Sequence, residues 1–124
     1  MMHNALTAEM LGLRRRVVGV TGSLVATIDG LLVASDTEEH VEADHLAAVA
    51  AAGLSIARRT VEVTDRGALL QTMIQGRKGC TAVYAVGDMA LMVVLGDEGL
   101  DIGSLHGHSR PALERIGSIL DEGE

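Results

Sequence analysis

The fold is decided first by residues 23–35, which read Ser-Leu-Val-Ala-Thr-Ile-Asp-Gly-Leu-Leu-Val-Ala-Ser. Val and Thr are typical of strands, and an Asp-Gly pair between two apolar runs is a strong signal for a tight hairpin turn. A turn of this kind requires positive φ at both Asp29 and Gly30. The sequence therefore predicts two neighbouring antiparallel strands, Val20 to Ile28 and Leu31 to Ala34.

An Ala-rich segment, Leu46 to Arg59, follows a polar and acidic stretch and has the apolar spacing of a second helix. Two apolar stripes run along this segment. The first consists of Leu46, Val49, Gly53 and Ile56, and the second of Ala47, Ala50, Leu54 and Ala57. A helix that is apolar over most of its circumference is expected to make contacts on two sides. One of these sides suits a second molecule.

Three more β-like runs follow the turn at residues 65–67, and they are Ala68 to Gln75, Cys80 to Val86, and Ala90 to Gly96. Gly-containing turns at residues 76–79 and 87–88 separate them, which predicts an antiparallel meander. The last run is almost continuously apolar, as expected for a strand covered on both faces. The first run contains Gln and Thr side chains and suits an edge position.

Helices are predicted at both ends of the chain. Apolar residues at helical spacing place the first helix from about Ala5 to Arg16. The last helix is predicted from about Ser109 to Leu120, because Pro111 fits a first helical turn but not a helix interior. Whether an earlier turn precedes it at residues 102–107 stays open. Residues 1–124 are expected to form a single domain, with a core at about 6–120 and an acidic tail at 121–124.

The composition restricts the classes of function. The chain has no Phe or Trp and a single Tyr, Tyr84, so its core must be built from aliphatic side chains. A net charge of -7 does not attract a phosphate backbone, and one aromatic side chain cannot form a base-stacking platform. Nucleic acid is therefore not an expected partner, and the shortage of aromatic residues also argues against flavin or haem.

The sequence predicts a cytoplasmic protein without direct membrane insertion. Its only cysteine, Cys80, cannot form an intrachain disulfide and is interpreted as a small strand hydrophobe in a reducing compartment. The amino terminus lacks the pattern of a secretory signal. No run approaches the roughly 20 continuous apolar residues that a membrane-spanning helix requires.

The order helix, hairpin, helix, three-stranded meander, helix resembles that of the Roadblock/LC7 family. The resemblance covers about Leu6 to Leu120 and is carried by residues 23–35, the Ala-rich residues 46–57 and the closing strand at 90–96. The chain is similar to bacterial, especially actinobacterial, members that accompany small GTPases. The resemblance implies an α+β, profilin-like three-layer sandwich, α-β-β-α-β-β-β-α, with a five-stranded antiparallel sheet in the order 2-1-5-4-3.

The resemblance also implies a homodimer. In this family the third strand, at one edge of the sheet, joins the same strand of a second subunit while the second helices pack together. The predicted interface residues are Leu46, Val49, Ala50, Gly53, Leu54 and Ala57 from the second helix, and Leu70, Thr72 and Ile74 from the edge strand.

The function that the resemblance implies is a non-catalytic, homodimeric regulatory scaffold that docks a small Ras-like GTPase. A sensor-kinase complex and a membrane location reached through partners are compatible with this hypothesis. A second hypothesis is a small-molecule-sensing module that binds an aliphatic ligand between sheet and helix, without a GTPase partner. A third, an enzyme, is disfavoured, and neither a cofactor nor a catalytic residue is predicted.

Several motifs suggest other chemistry but lack the pattern that it needs. No G-x-x-x-x-G-K-[ST] motif is present, and the Gly-rich residues 19–23 lead into a strand, whereas a phosphate loop must lead into a helix. The histidines are interpreted as surface or loop residues, since neither a Cys pair nor a helical His-x-x-x-His accompanies His40, His45, His106 and His108. The acidic residues 38–44 lack the ligand spacing of a calcium loop and are interpreted as a solvated helix entrance.

Overall fold

The computed structural model describes residues 2–123, and in this part of the chain the strands form a five-stranded antiparallel sheet. The elements are α1 (Met2–Arg16), β1 (Val20–Thr27), β2 (Leu32–Asp36), α2 (Ala43–Val63), β3 (Gln71–Gly76), β4 (Gly79–Val86), β5 (Ala90–Asp97) and α3 (Ile102–Glu122). The strand order is β2-β1-β5-β4-β3. The α+β class, the element order and the strand order predicted from the resemblance are confirmed.

Two aliphatic clusters cover the two faces of the sheet. On one face, α1 and α3 pack together and contribute fully buried residues such as Leu6, Met10 and Ile116. On the other face, α2 contributes Ala47 and Leu54 to a second buried cluster. Alanines on the sheet side of α2 allow close approach to the strands, so a dense core forms without Phe or Trp.

The turn between β1 and β2 differs from the predicted one. The Gly30 N–H donates to the Thr27 carbonyl at 2.9 Å, and the Thr27 N–H donates to the Leu31 carbonyl at 2.9 Å. Gly30 has a φ of 89°, and Asp29 does not share this positive value. The prediction of positive φ at both residues was therefore wrong. Three loop residues, 28–30, connect the strands, and in such a loop only the last one adopts the left-handed conformation.

The helix α2 is longer than predicted at both ends. It ends in a Schellman motif, in which the Arg66 N–H donates to the Val61 carbonyl and the Asp65 N–H donates to the Glu62 carbonyl. Asp65 takes the left-handed conformation that Gly usually supplies, with a φ of 54°. Because no Gly marks this position, the sequence pattern did not reveal the helix end.

The helix α3 begins at Ile102, and the predicted start near Ser109 was wrong. Asp101 caps its amino terminus, since the Asp101 carboxylate accepts a hydrogen bond from the Ser104 N–H at 3.0 Å. The helix also extends through Glu122, so Asp121 and Glu122 of the predicted acidic tail are helical. Glu124 lies outside the described residues.

The Pro111 ring is accommodated in the interior of α3 because it lies on the exposed side of the helix. The carbonyl that loses its N–H partner belongs to Gly107, which is also exposed and can be solvated. On the opposite side, Leu105, Ala112 and Ile116 are buried and hold the helix against the sheet and α1 on both sides of the proline.

Two Gly→Ala substitutions are expected to change stability in opposite directions. Gly30→Ala should destabilise the protein by about 1–2 kcal/mol, because an L residue is strained at this φ and the new Cβ would lie 3.0 Å from the Ala48 Cα. Gly12→Ala, within α1, should stabilise it by about 0.5–1 kcal/mol, since the new Cβ meets only the flexible Arg16 side chain. Urea unfolding of both variants measures these changes. Equal effects of the two substitutions would contradict the hairpin geometry.

Candidate functional site

The edge strand β3 leaves one side of its backbone unpaired. It is the last strand of the sheet and pairs with β4 in a regular register from Gln71 opposite Tyr84 to Gly76 opposite Gly79. Proteins usually protect such an edge with a charged residue, a proline or a β-bulge. Residues 68–76 contain neither a charged residue nor a proline, and the register has no shift. This edge is therefore open to pairing with another strand.

One face of β3 also lacks a helical cover. Thr72 lies opposite Val83, a member of the cluster beneath α2, so Thr72 and its alternate neighbour Ile74 face the α2 side. The strands against which α2 packs are β1, β2, β4 and β5. Consequently Ile74 is 57% exposed, and Leu70, which precedes the strand, is 69% exposed.

The outward side of α2 carries a second exposed apolar row. Val49, Ile56 and Val63 have exposed fractions of 54%, 70% and 76%. Of the two predicted stripes, the one with Ala47 and Leu54 therefore lies on the sheet of its own subunit, and the one with Val49 and Ile56 points away from it. We call the outward-facing residues of both elements the α2/β3 surface: Val49, Gly53, Ile56 and Val63 of α2, and Thr72 and Ile74 of β3.

The predicted interface set combines residues of both stripes. Ala50 and Leu54 are buried beneath α2 in their own subunit, so they have almost no surface to give to a partner. Leu46 and Ala57 are half-buried at the margin of the helix. Gly53 faces open space, since a Cβ added there would meet nothing within 4 Å. Ile56 belongs to the outward stripe but was missing from the prediction.

Arg58 fixes the position of α2 relative to the sheet. Its guanidinium donates hydrogen bonds to the Gly87 carbonyl at 3.1 Å and to the Asp88 carbonyl at 3.5 Å, both in the turn between β4 and β5. This contact, together with the buried alanines, holds the outward row of α2 at a defined distance from the sheet.

A partly buried polar pair lies on the opposite face of the sheet. The Tyr84 hydroxyl from β4 and the His106 Nδ1 from α3 are 2.8 Å apart, and the two rings meet edge to face. Burial raises the pKa of the Tyr84 phenol. The nearby Ser109 hydroxyl opposes that shift, although its Oγ makes no hydrogen bond of standard geometry to the described residues.

Comparison with known proteins identifies the fold family. Residues 6–96, from α1 through β5, match the Roadblock/LC7 domain family. The chain belongs to the Roadblock/LC7 family. The predicted family is thus confirmed, and α3 lies beyond the matched residues.

The relatives of this Roadblock/LC7 domain come from archaea and bacteria. The uncharacterized protein MJ1340 of Methanocaldococcus jannaschii is 36% identical over 98 residues, which cover 79% of this chain and 85% of that protein. A Roadblock/LC7 domain from Streptomyces avermitilis superposes with a TM-score of 0.84 at 24% identity, over 91% of this chain and 95% of the other. MglB in a tetrameric arrangement gives a TM-score of 0.90 at 18% identity, over 100% and 93%.

The residues considered for metal or phosphate chemistry have other surroundings in this Roadblock/LC7 domain. His106 and His108 lie in α3, where His108 is exposed and His106 is half-buried, and the His108 Nδ1 is 3.0 Å from the Ser104 carbonyl. Within residues 2–123, no three His, Cys, Asp or Glu side chains cluster closely enough to hold a metal ion. Gly22 lies inside β1 and not before a helix.

Two further features bear on reactivity and on membrane insertion, namely the Cys80 thiol and the apolar character of the helices. Burial raises the pKa of the Cys80 thiol, which disfavours the reactive thiolate. Among the helices of residues 2–123, none combines the length and the apolar character needed to cross a membrane.

Tyr84 is expected to ionise at higher pH in the folded protein than in the unfolded chain. Folding favours the neutral phenol, so the stabilising contribution of Tyr84 is present below its ordinary pKa of about 10 and is lost as the pH rises through the raised pKa. Since Tyr84 is the only tyrosine, near-UV absorbance of tyrosinate measures it directly. Coincident titrations of folded and urea-unfolded protein would contradict the described burial.

Proposed function

We propose that this Roadblock/LC7 domain is a non-catalytic homodimer that docks a small Ras-like GTPase. The observation that carries the proposal is the α2/β3 surface, where an unprotected strand edge adjoins the exposed apolar row of α2 and the exposed Ile74 of β3. In this proposal the working unit is a single domain with its core at residues 6–120, located in the cytoplasm.

The proposed dimer forms when β3 pairs with β3 of a second copy around a two-fold axis. The unpaired N–H and C=O groups of each edge then find partners, and the two sheets become continuous. On the α2 side, Ile56 and Val49 of one copy meet the same helix face of the other, while Gly53 allows the helices to approach closely. A two-fold contact is self-complementary, and a stable one buries at least about 1,200 Å² in total.

The roles of the interface residues in this proposal follow their burial. Val49, Gly53, Ile56, Thr72 and Ile74 contact the second copy directly, with Leu46, Ala57 and Leu70 at the margin. Ala50 and Leu54 act indirectly. They pack α2 on its own sheet and so determine how far the exposed apolar row of α2 lies from the sheet. The tetrameric arrangement of MglB, a structural neighbour, supports the idea that this fold can self-associate.

A GTPase partner is supported by family membership and by the nature of the exposed surface. The chain carries no phosphate-binding motif of its own, so any nucleotide dependence must come from the partner. Pairing of two α2 helices would create a composite surface, rimmed by charged side chains such as Arg59 and Glu62, on which shape and charge select the partner. A sensor kinase in the same complex is a further element of the proposal.

Lysine substitutions in the α2/β3 surface are expected to break the dimer. Ile56→Lys and Ile74→Lys should each raise the dimer dissociation constant at least about tenfold, because an unpaired ammonium would be placed in an apolar contact. Val18→Lys is the matched control, since Val18 is 80% exposed and lies between α1 and β1, away from this surface. Sedimentation velocity over a range of concentrations measures the change.

Circular dichroism shows whether each variant is folded, so that loss of the dimer is separated from loss of structure. A wild-type protein that sediments as a monomer even at high concentration would contradict the proposed dimer. Equal weakening by Val18→Lys would contradict its location.

A GTPase encoded near this chain is expected to co-purify with it in one nucleotide state more than in the other. Ile56→Lys should reduce the captured GTPase severalfold if the paired helices form the docking surface, whereas Val18→Lys should leave it unchanged. Pull-down with the GTPase loaded with GDP or with a non-hydrolysable GTP analogue measures this. Absence of capture in both nucleotide states would contradict the partner assignment while leaving the dimer intact.

A further inference from the structure

A small cleft lies between the sheet and α3, on the face opposite to α2. Its volume is about 270 Å³, slightly below the range of roughly 300–1,000 Å³ that is typical of sites for drug-sized ligands. The side chains and backbone of β3, β4 and α3 meet there. The residues that determine its chemistry are Leu70, Gln71, Tyr84, His106, Arg110 and Leu113.

The inner polar group of the cleft is the Tyr84–His106 pair. The 2.8 Å contact between the Tyr84 hydroxyl and the His106 Nδ1 fixes the orientation of the imidazole ring. The second ring nitrogen, Nε2, makes no hydrogen bond to residues 2–123. When Tyr84 donates to Nδ1, the neutral imidazole carries its proton on Nε2 and can donate it to a ligand.

Arg110 supplies a positive charge at the same cleft. It lies four residues after His106 in α3, so both side chains lie on the same side of the helix. Arg14 and Arg115 form ion pairs with carboxylates, but Arg110 forms none within the described part of the chain. A guanidinium presents two parallel N–H donors that match the two oxygens of a carboxylate.

We propose that this cleft binds a small aliphatic carboxylate. The carboxylate would pair with Arg110 and accept a hydrogen bond from His106, and the hydrocarbon part would contact Leu70 and Leu113. The volume excludes large ligands, and the two rings of the lining, Tyr84 and His106, already contact each other edge to face, which disfavours cofactors that are held by stacking between parallel rings. This site goes beyond the proposed dimer and GTPase partner and does not depend on either.

Titration of the 124-residue protein with isocaproate tests the proposal. Tyr84 is the only tyrosine and the chain has no Trp, so the intrinsic fluorescence reports on the cleft itself. We expect a saturable change in Tyr84 fluorescence, with amide NMR shifts concentrated at residues 69–71, 84–85 and 106–113. Isocaproamide, which has the same shape without the charge, should bind at least about tenfold more weakly.

Arg110→Met should weaken isocaproate binding at least about tenfold, since it removes the charged partner and keeps a long apolar stem. Arg15→Met is the matched control, because Arg15 is an exposed residue of α1 outside the cleft and its substitution makes the same charge change. This control should bind isocaproate like the wild type. Amide NMR spectra of both variants verify that they are folded.

Four results would overturn the proposal. The first is the absence of a saturable response to isocaproate in the folded wild-type protein. The second is equal binding by wild type and Arg110→Met, and the third is a set of amide shifts that maps away from the cleft. Tighter binding of inorganic phosphate than of isocaproate would reject the aliphatic carboxylate as the ligand class. All of these readouts are independent of dimer formation and GTPase capture.

Discussion

The unsatisfied backbone of β3 is the constraint on which the functional interpretation depends. β1, β4 and β5 have neighbours on both sides. β2, the other edge strand, contacts both α1 and α2, and β1, with which it pairs, has a register irregularity at Val25/Ala26. β3 has a regular register and no charged residue, and its face on the α2 side carries the exposed Ile74. A second copy of the chain supplies what this edge lacks, because the same row of donors and acceptors is present in both copies.

The small side chains on one side of α2 explain how this helix can pack on its own sheet and also present apolar side chains outward. Ala47 and Ala50 let the helix lie close to the sheet. Leu54 is the one large side chain among the buried residues that α2 contributes to the core. The larger side chains Val49 and Ile56 are thereby left on the outside. The Arg58 contacts with the turn after β4 hold this arrangement in place.

A carboxylate ligand in the cleft on the opposite face would leave the α2/β3 surface free, because the sheet separates the two sites.

Much of the fold could be predicted from the sequence because each strand and helix has a clear apolar period and Gly-marked turns. The start of α3 could not, since Gly103, Gly107 and Pro111 all disfavour a helix, and the Asp101 cap that offsets them is a single residue. The apolar spacing in the sequence located both stripes of α2. It could not show which stripe packs on the sheet of the same subunit, so Ala50 and Leu54 were assigned to the interface. The Tyr84–His106 contact joins residues from different elements, and no spacing in the sequence reveals it.

Hydrogen exchange of the β3 amides at increasing protein concentration tests the central claim most directly. If two copies pair through this edge, the N–H groups of residues 71–76 that point away from β4 become protected as the concentration rises. The amides bonded to β4 stay protected throughout and provide the internal reference. Outward amides that exchange rapidly at every concentration, while the rest of the sheet stays protected, would contradict the account.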